Sequence, residues 1–426
     1  MAALTGLMNV IGEPGGLWAT IIKAFEGGVG SYILAVLLLT LIIRVVWAPV
    51  DTLNKKFNKK MLRNQAKLQP QMEKIQKQYA KDPQMLKIKQ NELYKKANAG
   101  LGGGCLFMLI FMALNLTIFG TMFTTMNAFS RYKVYEQYEG LKYEYANVLD
   151  MANTLDATKL EDVVKNYKNI TVVKENGKIS LVKGEEIIIS QDYKTDYSVK
   201  QSKDKTIAGE VYIASLVNKF IVDDDNKKTE FLGDKKVGEI KYSEALNTIA
   251  TNYTNSLYEK SQEEFKFLWV SNIWVADSPF KQSVLSYNDY KGLVGNDNVS
   301  EKEEVIYNSF MSSVQENYNS TNGYFILALL SIGVSFLSIL FSNGIKKKKN
   351  AAAAPKQGKA MYIIMPLIMG IFAIMYNSVF AFYLVVSSAI NVLLTPLENL
   401  IIDKWEAREI KKEEEKNTVE YSRKKI

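Results

Sequence analysis

Apolar residues gather in five runs, residues 32–50, 105–123, 324–341, 361–376 and 379–395, and none of the five contains Asp or Glu. A helix that crosses hydrocarbon needs about 20 mostly apolar residues, so each run predicts a transmembrane helix. Core helices of a soluble protein are the bland alternative, and five such runs in one chain weigh against it. Only Asn377 and Ser378 separate the last two runs. They predict a tight antiparallel hairpin, because unpaired backbone in a long connection is costly in a bilayer.

Between the runs the periodicity changes. In residues 15–30, Trp18, Ile21, Ile22 and Phe25 fall on one helical face. The segment is too short to span and is suited to lying flat on the outer surface. In residues 53–79, Leu53, Phe57, Met61, Leu68, Met72, Ile75 and Tyr79 recur at helical spacing. Lys81-Asp82-Pro83 breaks that pattern, and Met85, Ile88 and Leu93 resume it over residues 84–97. Two helices and a short turn predict an antiparallel helical hairpin, closed by Gly100, Gly102, Gly103 and Gly104. The segment 130–264 is rich in Tyr, Asn, Asp and Lys. Within it, ITVVKENGKISLV (170–182) predicts a β-hairpin with Asn-Gly at its turn. EVYIASLVNKFIVD (210–223) suggests further strands, and residues 231–267 and 301–319 read as helical. The expected fold is therefore an all-α polytopic membrane protein. It has five transmembrane helices, a cytoplasmic helical hairpin and a small α+β extracellular insertion.

Charge sets the expected orientation. Residues 51–100 hold 13 Lys+Arg against 4 Asp+Glu, a net of +9, and residues 342–360 hold 6 Lys and no acid. Residues 127–322 hold 24 basic and 31 acidic groups, a net of −7. Cytoplasmic loops carry the excess of Lys and Arg. The two basic loops are thus expected inside, and the N-terminus and the acidic stretch outside. The C-terminal tail, 396–426, is expected inside, and its 8 basic and 8 acidic groups add nothing either way. The five tryptophans, 18, 47, 269, 274 and 405, can all reach an interface in this arrangement. No charged start, long apolar run and cleavage site of a signal peptide is legible.

The chemistry on offer is sparse. The chain has no His and one Cys, Cys105, inside an apolar run. The commonest general base and metal ligand are missing, and a lone buried thiol is expected to be inert. No Gly-rich phosphate loop ends in Lys-Ser or Lys-Thr. Neither an enzyme nor a cofactor is expected. One charge stands out. Arg44, in LLLTLIIRVVWAP, lies about two turns from the inner end of its helix, where an unpaired charge is expensive. It is suited either to snorkelling toward the inner headgroups or to a hydrated cavity open to the cytoplasm. Asn115, Thr117, Ser331, Ser335, Ser387, Ser388 and Asn391 are candidates to line such a cavity, although each alone also suits helix–helix hydrogen bonding.

Taken together, these blocks resemble the YidC family of membrane protein insertases, in a Gram-positive-like form with an extra extracellular domain. The matching pieces are IIRVVWAP, the run LQPQMEKIQKQYAKDPQMLKIKQNELYKKA (68–97), GLGGGCLFMLIFMAL (100–114), FKFLWVSNIWVADSPF (265–280), MYIIMPLIMGIFA and FAFYLVVSSAIN. Phe107, Phe111 and Ala113 stand where the family usually has prolines and a glutamine, and Leu384 stands for a usual tryptophan. The insertion 130–264 does not match the periplasmic β domain of Gram-negative relatives.

The resemblance implies a hydrophilic groove, closed to the outside, through which apolar segments of nascent proteins pass into lipid without nucleotide hydrolysis. It implies nascent membrane proteins as partners, with the ribosome, a Sec translocon and anionic lipids as further candidates, no DNA, and a place in the bacterial plasma membrane. The basic hairpin is suited to anionic lipid, ribosomal RNA or a partner protein, or it only sets topology. The competing readings are a small-solute transporter or channel, which would want repeats or more polar residues at mid-membrane, and a membrane-anchored sensor or adhesin, which leaves Arg44 and the hairpin without a role.

Overall fold

The computed structural model describes residues 11–96, 104–197, 199–200, 206–207, 212–217, 236–295, 301–342 and 361–423. The chain is mostly helical and forms two compact units. One unit comprises 16–126 and 325–426, the other 127–324 with 1–15.

The first unit begins with α1 (Leu17–Val29), whose C-cap Gly30 takes the left-handed conformation, φ 71°. Helix α2 (Tyr32–Gln78) follows, then α3 (Pro83–Lys96) and α4 (Gly104–Asp150), of which the part up to 126 belongs here. Helices α10 (Ile326–Ser342), α11 (Met361–Met375) and α12 (Ser378–Arg423) complete it. The first span and the first arm of the hairpin form one helix, since α2 runs on through Pro49 and Pro70. Likewise α12 runs through Pro396 into the tail. In each case the residue before proline stays helical, and the helix forgoes one backbone bond to the carbonyl four residues earlier.

Helix α1 packs on α2, α2 on α12, and α10 on both α11 and α12. The α10–α11 approach is close at Gly370, where an added Cβ would lie 2.5 Å from Ile332 Cγ1. Such small-residue contacts let helix backbones meet in lipid. Aromatic rings hold α4 to α12, with Phe123 and Phe380 centroids 4.8 Å apart. Much of the remaining surface is exposed and apolar, including Leu38, Leu41, Val46, Leu116, Leu329 and Ile363. A soluble monomer rarely tolerates such a continuous surface. Helices α2, α4 and α12 contain stretches long and apolar enough to cross a membrane, and α10 and α11 are shorter apolar helices. The protein is thus a multi-pass membrane protein.

The second unit contains the C-terminal half of α4, then α5 (Ala157–Asn166) and an antiparallel sheet of β1 (Ile170–Glu175), β2 (Lys178–Lys183) and β3 (Glu186–Asp192) in that order. Asp156 caps α5, its carboxylate accepting from Lys159 N at 2.8 Å. The β1–β2 turn is the Asn-Gly pair of the sequence, Asn176 at φ 52° and Gly177 at φ 74°. Both lie in the left-handed region that a two-residue hairpin turn requires. Short strands β4 (Val199–Lys200) with β5 (Thr206–Ile207), and β6 (Lys236–Val237) with β7 (Ile240–Lys241), form two further pairs. Where strands were expected in 210–223, residues 212–217 instead form a helix, α6. Its buried set Ile213, Ala214, Leu216 and Val217 has helical rather than alternating spacing. The rest of that stretch lies outside the described residues, as do 100–103 of the glycine run.

Helices α7 (Tyr242–Phe265), α8 (Tyr287–Val294) and α9 (Glu301–Tyr318) complete this unit. The insertion and the segment after it therefore share one core. Tyr138 sits at its centre, 4.7 Å from Tyr290 and 5.0 Å from Tyr307 between ring centroids. Beside them Lys142 Nζ bonds Glu139 at 2.5 Å and Glu303 at 2.9 Å, all three residues buried. Asn322, fully buried, donates to Asn272 O and Ala276 O and accepts from Asn272 N, pinning the loop 266–286. Next to it an added Cβ at Gly323 would lie 1.9 Å from Asp277 Oδ1, so only glycine fits there.

Candidate functional site

Arg44 is half-buried on α2 and faces α12. Its Nε donates to Ser387 Oγ at 2.7 Å, and one terminal guanidinium nitrogen donates to the same oxygen. Tyr383, one turn earlier on α12, brings its hydroxyl close to Arg44 and Ser387. Ser387 and Tyr383 are buried, and their spacing of four places both hydroxyls on the face of α12 that meets α2. Among the described residues no carboxylate lies within ion-pair distance of Arg44. Asp51, about two turns further along α2, feels its charge without touching it. The guanidinium has five donors, and neutral hydroxyls cannot compensate its charge.

The other candidates divide. Ser388 and Ser335 lie side by side, their hydroxyls 3.5 Å apart across α12 and α10. Asn115 and Thr117 bond backward along their own helix, to Phe111 O at 2.8 Å and Ala113 O at 2.9 Å. That is the usual way a lone Ser, Thr or Asn satisfies itself in a helix, and it takes neither residue to Arg44. Ser331 is fully buried, and its hydroxyl has no partner among the described residues. Asn391 lies half-buried one turn beyond Ser387. Sequence reasoning missed Tyr383. The available signal was its spacing of four from Ser387, hidden because tyrosine in an apolar run reads as a packing residue.

Further along the same seam Lys55 is paired with Glu398 and donates to Thr395 Oγ1 at 3.2 Å. Beyond it Lys59 meets Asp403 and Glu406 at 2.5 Å each, and Lys56 meets Glu409 at 2.9 Å. Lys56 Nζ also lies 5.1 Å from the centroid of the Trp405 ring. The sequence had shown the acids of the tail only as charges that cancel its own bases. In the structure four of them, Glu398, Asp403, Glu406 and Glu409, pair with the basic hairpin arm.

The resemblance drawn from the sequence is borne out over the N-terminal third. Residues 24–164, which carry Arg44, match the family model of the 60Kd inner membrane protein. The chain is similar to the membrane protein insertase YidC of Fusobacterium nucleatum, 33% identical over 104 residues, 24% of this chain and 49% of that protein. It is also similar to the YidC insertase of Caldanaerobacter subterraneus, 35% identical over 102 residues, 24% of this chain and 47% of that protein. A third, from Clostridium tetani, is 40% identical over 80 residues, 19% of this chain and 34% of that protein. The chain thus spans about half the length, or less, of these curated relatives. No solved structure matches it.

Proposed function

We propose that the protein is a membrane insertase that moves apolar segments of nascent proteins from the cytoplasm into the bilayer. The observation that carries this reading is Arg44, a charge within an apolar helix, held by the Ser387 hydroxyl and paired with no acid among the described residues. A transmembrane arginine left so is a functional group by default. The similarity of residues 24–164 to YidC insertases supports the same reading. Arg44, Ser387, Ser388, Ser335 and Asn391 line one wall of a hydrated groove, with Ser331 behind it. Asn115 and Thr117 of α4 line the opposite wall. Five helices cross the bilayer, with the N-terminus and the acidic unit outside and the basic hairpin and tail inside. The substrate's apolar segment leaves the groove for lipid, gaining roughly 0.8 kcal/mol per buried CH2, and no nucleotide is consumed. The ribosome or a Sec translocon delivers the nascent chain, and anionic lipid holds the hairpin to the inner surface.

Arg44 acts by attracting acidic residues in the short polar flank that crosses. At a separation of about 8 Å and an effective dielectric constant of about 40, the attraction is roughly 1 kcal/mol, or about fivefold in rate. The test inserts two substrates that differ only in flank charge. Arg44→Ala is expected to slow the acidic-flank substrate about fivefold more than the neutral one, and Arg44→Lys to keep most of the activity. Equal losses for both substrates would refute the electrostatic role. No loss for either would leave Arg44 a snorkelling residue.

A further inference from the structure

Two contacts along the α2–α12 seam share one sequence offset. Arg44 meets Ser387 and Lys55 meets Glu398, and both pairs are separated by 343 residues. Arg63 and Glu406 keep the same offset, with Arg63 Nη1 3.8 Å from a Glu406 carboxylate oxygen. The two helices therefore run parallel and in fixed register. Eleven residues are three helical turns, so Lys55 and Glu398 lie on the same faces as Arg44 and Ser387, about 16 Å further along.

The rungs differ in burial. The Asp403 and Glu409 side chains remain 65% and 34% exposed. Exposed pairs of this kind contribute little. Glu398 is the exception among the acids, with a side chain 6% exposed, while its partner Lys55 stays 32% exposed like the lysines of the other rungs. A buried carboxylate must be matched in place or it destabilises strongly. It thus tolerates one axial position of α12 against α2 and penalises the neighbouring ones. A slip of one residue moves a side chain 1.5 Å along the axis and about 100° around it, which would take Ser387 away from Arg44.

We infer that Lys55 and Glu398 are positioning residues, whose ion pair, made on a buried carboxylate, fixes the register that presents Arg44 to Ser387 and Tyr383. The inference rests on the insertase reading only for its consequence in activity. The register itself can be measured without any substrate.

The experiment uses the full-length chain in native membranes, in a Cys105→Ala background. Ala48→Cys and Asn391→Cys form a reporter pair, one helical turn beyond Arg44 and Ser387 and at the same offset. A second reporter pairs Ala48→Cys with Val392→Cys, one residue out of register. Cross-linking with a short bifunctional thiol reagent is expected to favour the first pair. Glu398→Gln or Lys55→Met should lower that preference by roughly threefold or more, as expected when a buried carboxylate or its cation is removed. The exchange Lys55→Glu with Glu398→Lys should restore it. Asp403→Asn, on an exposed rung, should leave it unchanged and serves as the control for expression and general stability.

Unchanged cross-linking in Glu398→Gln, or a loss in Asp403→Asn as large, would overturn the inference. So would failure of the charge exchange to restore the preference. Insertion of the acidic-flank substrate by Glu398→Gln separates the two readings. A register change with normal insertion refutes the role of Arg44 in insertion and leaves the positioning pair standing. Unaltered register together with lost insertion refutes the positioning pair and leaves the insertase reading intact.

Discussion

Replacing Lys142 by Met should unfasten the second unit more than any other single change to its core. Lys142 is 2% exposed and sits between Glu139 and Glu303, while Tyr138 donates to Glu303 at 2.5 Å. Methionine fills nearly the same volume but leaves two buried carboxylates with no cation. Breaking a buried ion pair by removing one partner costs about 3–5 kcal/mol. At about 1.36 kcal/mol per factor of ten, amide protection where α4 meets α9 should fall by roughly two to four powers of ten. Hydrogen exchange read by mass spectrometry on peptides covering 135–150 and 303–318 measures this directly in the full-length protein. Glu303→Gln should behave differently. It keeps an oxygen for Tyr138 and Lys142 and leaves one cation facing one anion, so its loss should be below about tenfold. A drop below tenfold for Lys142→Met, or equal drops for the two variants, would refute the view that the ammonium compensates both acids.

Gly370→Leu should separate α10 from α11, because even a Cβ there falls 2.5 Å from Ile332; a lower midpoint of thermal unfolding in detergent is expected, and Ile332→Ala should partly restore it. Alkali should loosen the second unit. Burial raises the Tyr258 and Tyr307 pKa values, and burial followed by the nearby Glu139 and Glu303 raises that of Tyr290. A raised folded pKa gives stability that is complete below the unfolded value of about 10 and is lost above it. Phenolate absorbance and exchange protection should therefore change together above about pH 10. For orientation, Lys194→Cys in a Cys105→Ala background should react with a membrane-impermeant thiol reagent in whole cells, and Lys348→Cys should not; the reverse result would invert the topology.

The helices were legible where one strong period ran without interruption. Residues 32–50 and 53–79 both show helical patterning, yet Val50-Asp51-Thr52 reads as a boundary between lipid and water, and only coordinates reveal that α2 passes through it unbroken. The Asn-Gly turn was readable because its two residues need a left-handed backbone that few others adopt. Residues 212–217 misled because YIAS begins like an alternating strand, while the burial of Ile213, Ala214, Leu216 and Val217 follows a helix. Arg44 announced itself through cost alone. Its partners did not, since Ser387 and Tyr383 lie more than 300 positions away and no local period links them to it. The pairing of the tail with the hairpin arm was invisible for a similar reason. Net charge counts the acids of 396–426 but does not say which bases they face.

The unbroken course of α2 has a mechanical consequence. Its 47 residues make a rod about 70 Å long, more than twice the roughly 30 Å of hydrocarbon. Arg44 and Gln78 are 34 positions apart on that rod, about 50 Å. A load applied at the far end of the hairpin arm would act on the turn that carries Arg44 through one continuous helix. Pro49, five positions from Arg44, leaves the carbonyl of Val45 without its helical donor, so the rod is least stiff close to the charge. A small swing of the arm would be felt first at the turn that holds the charge.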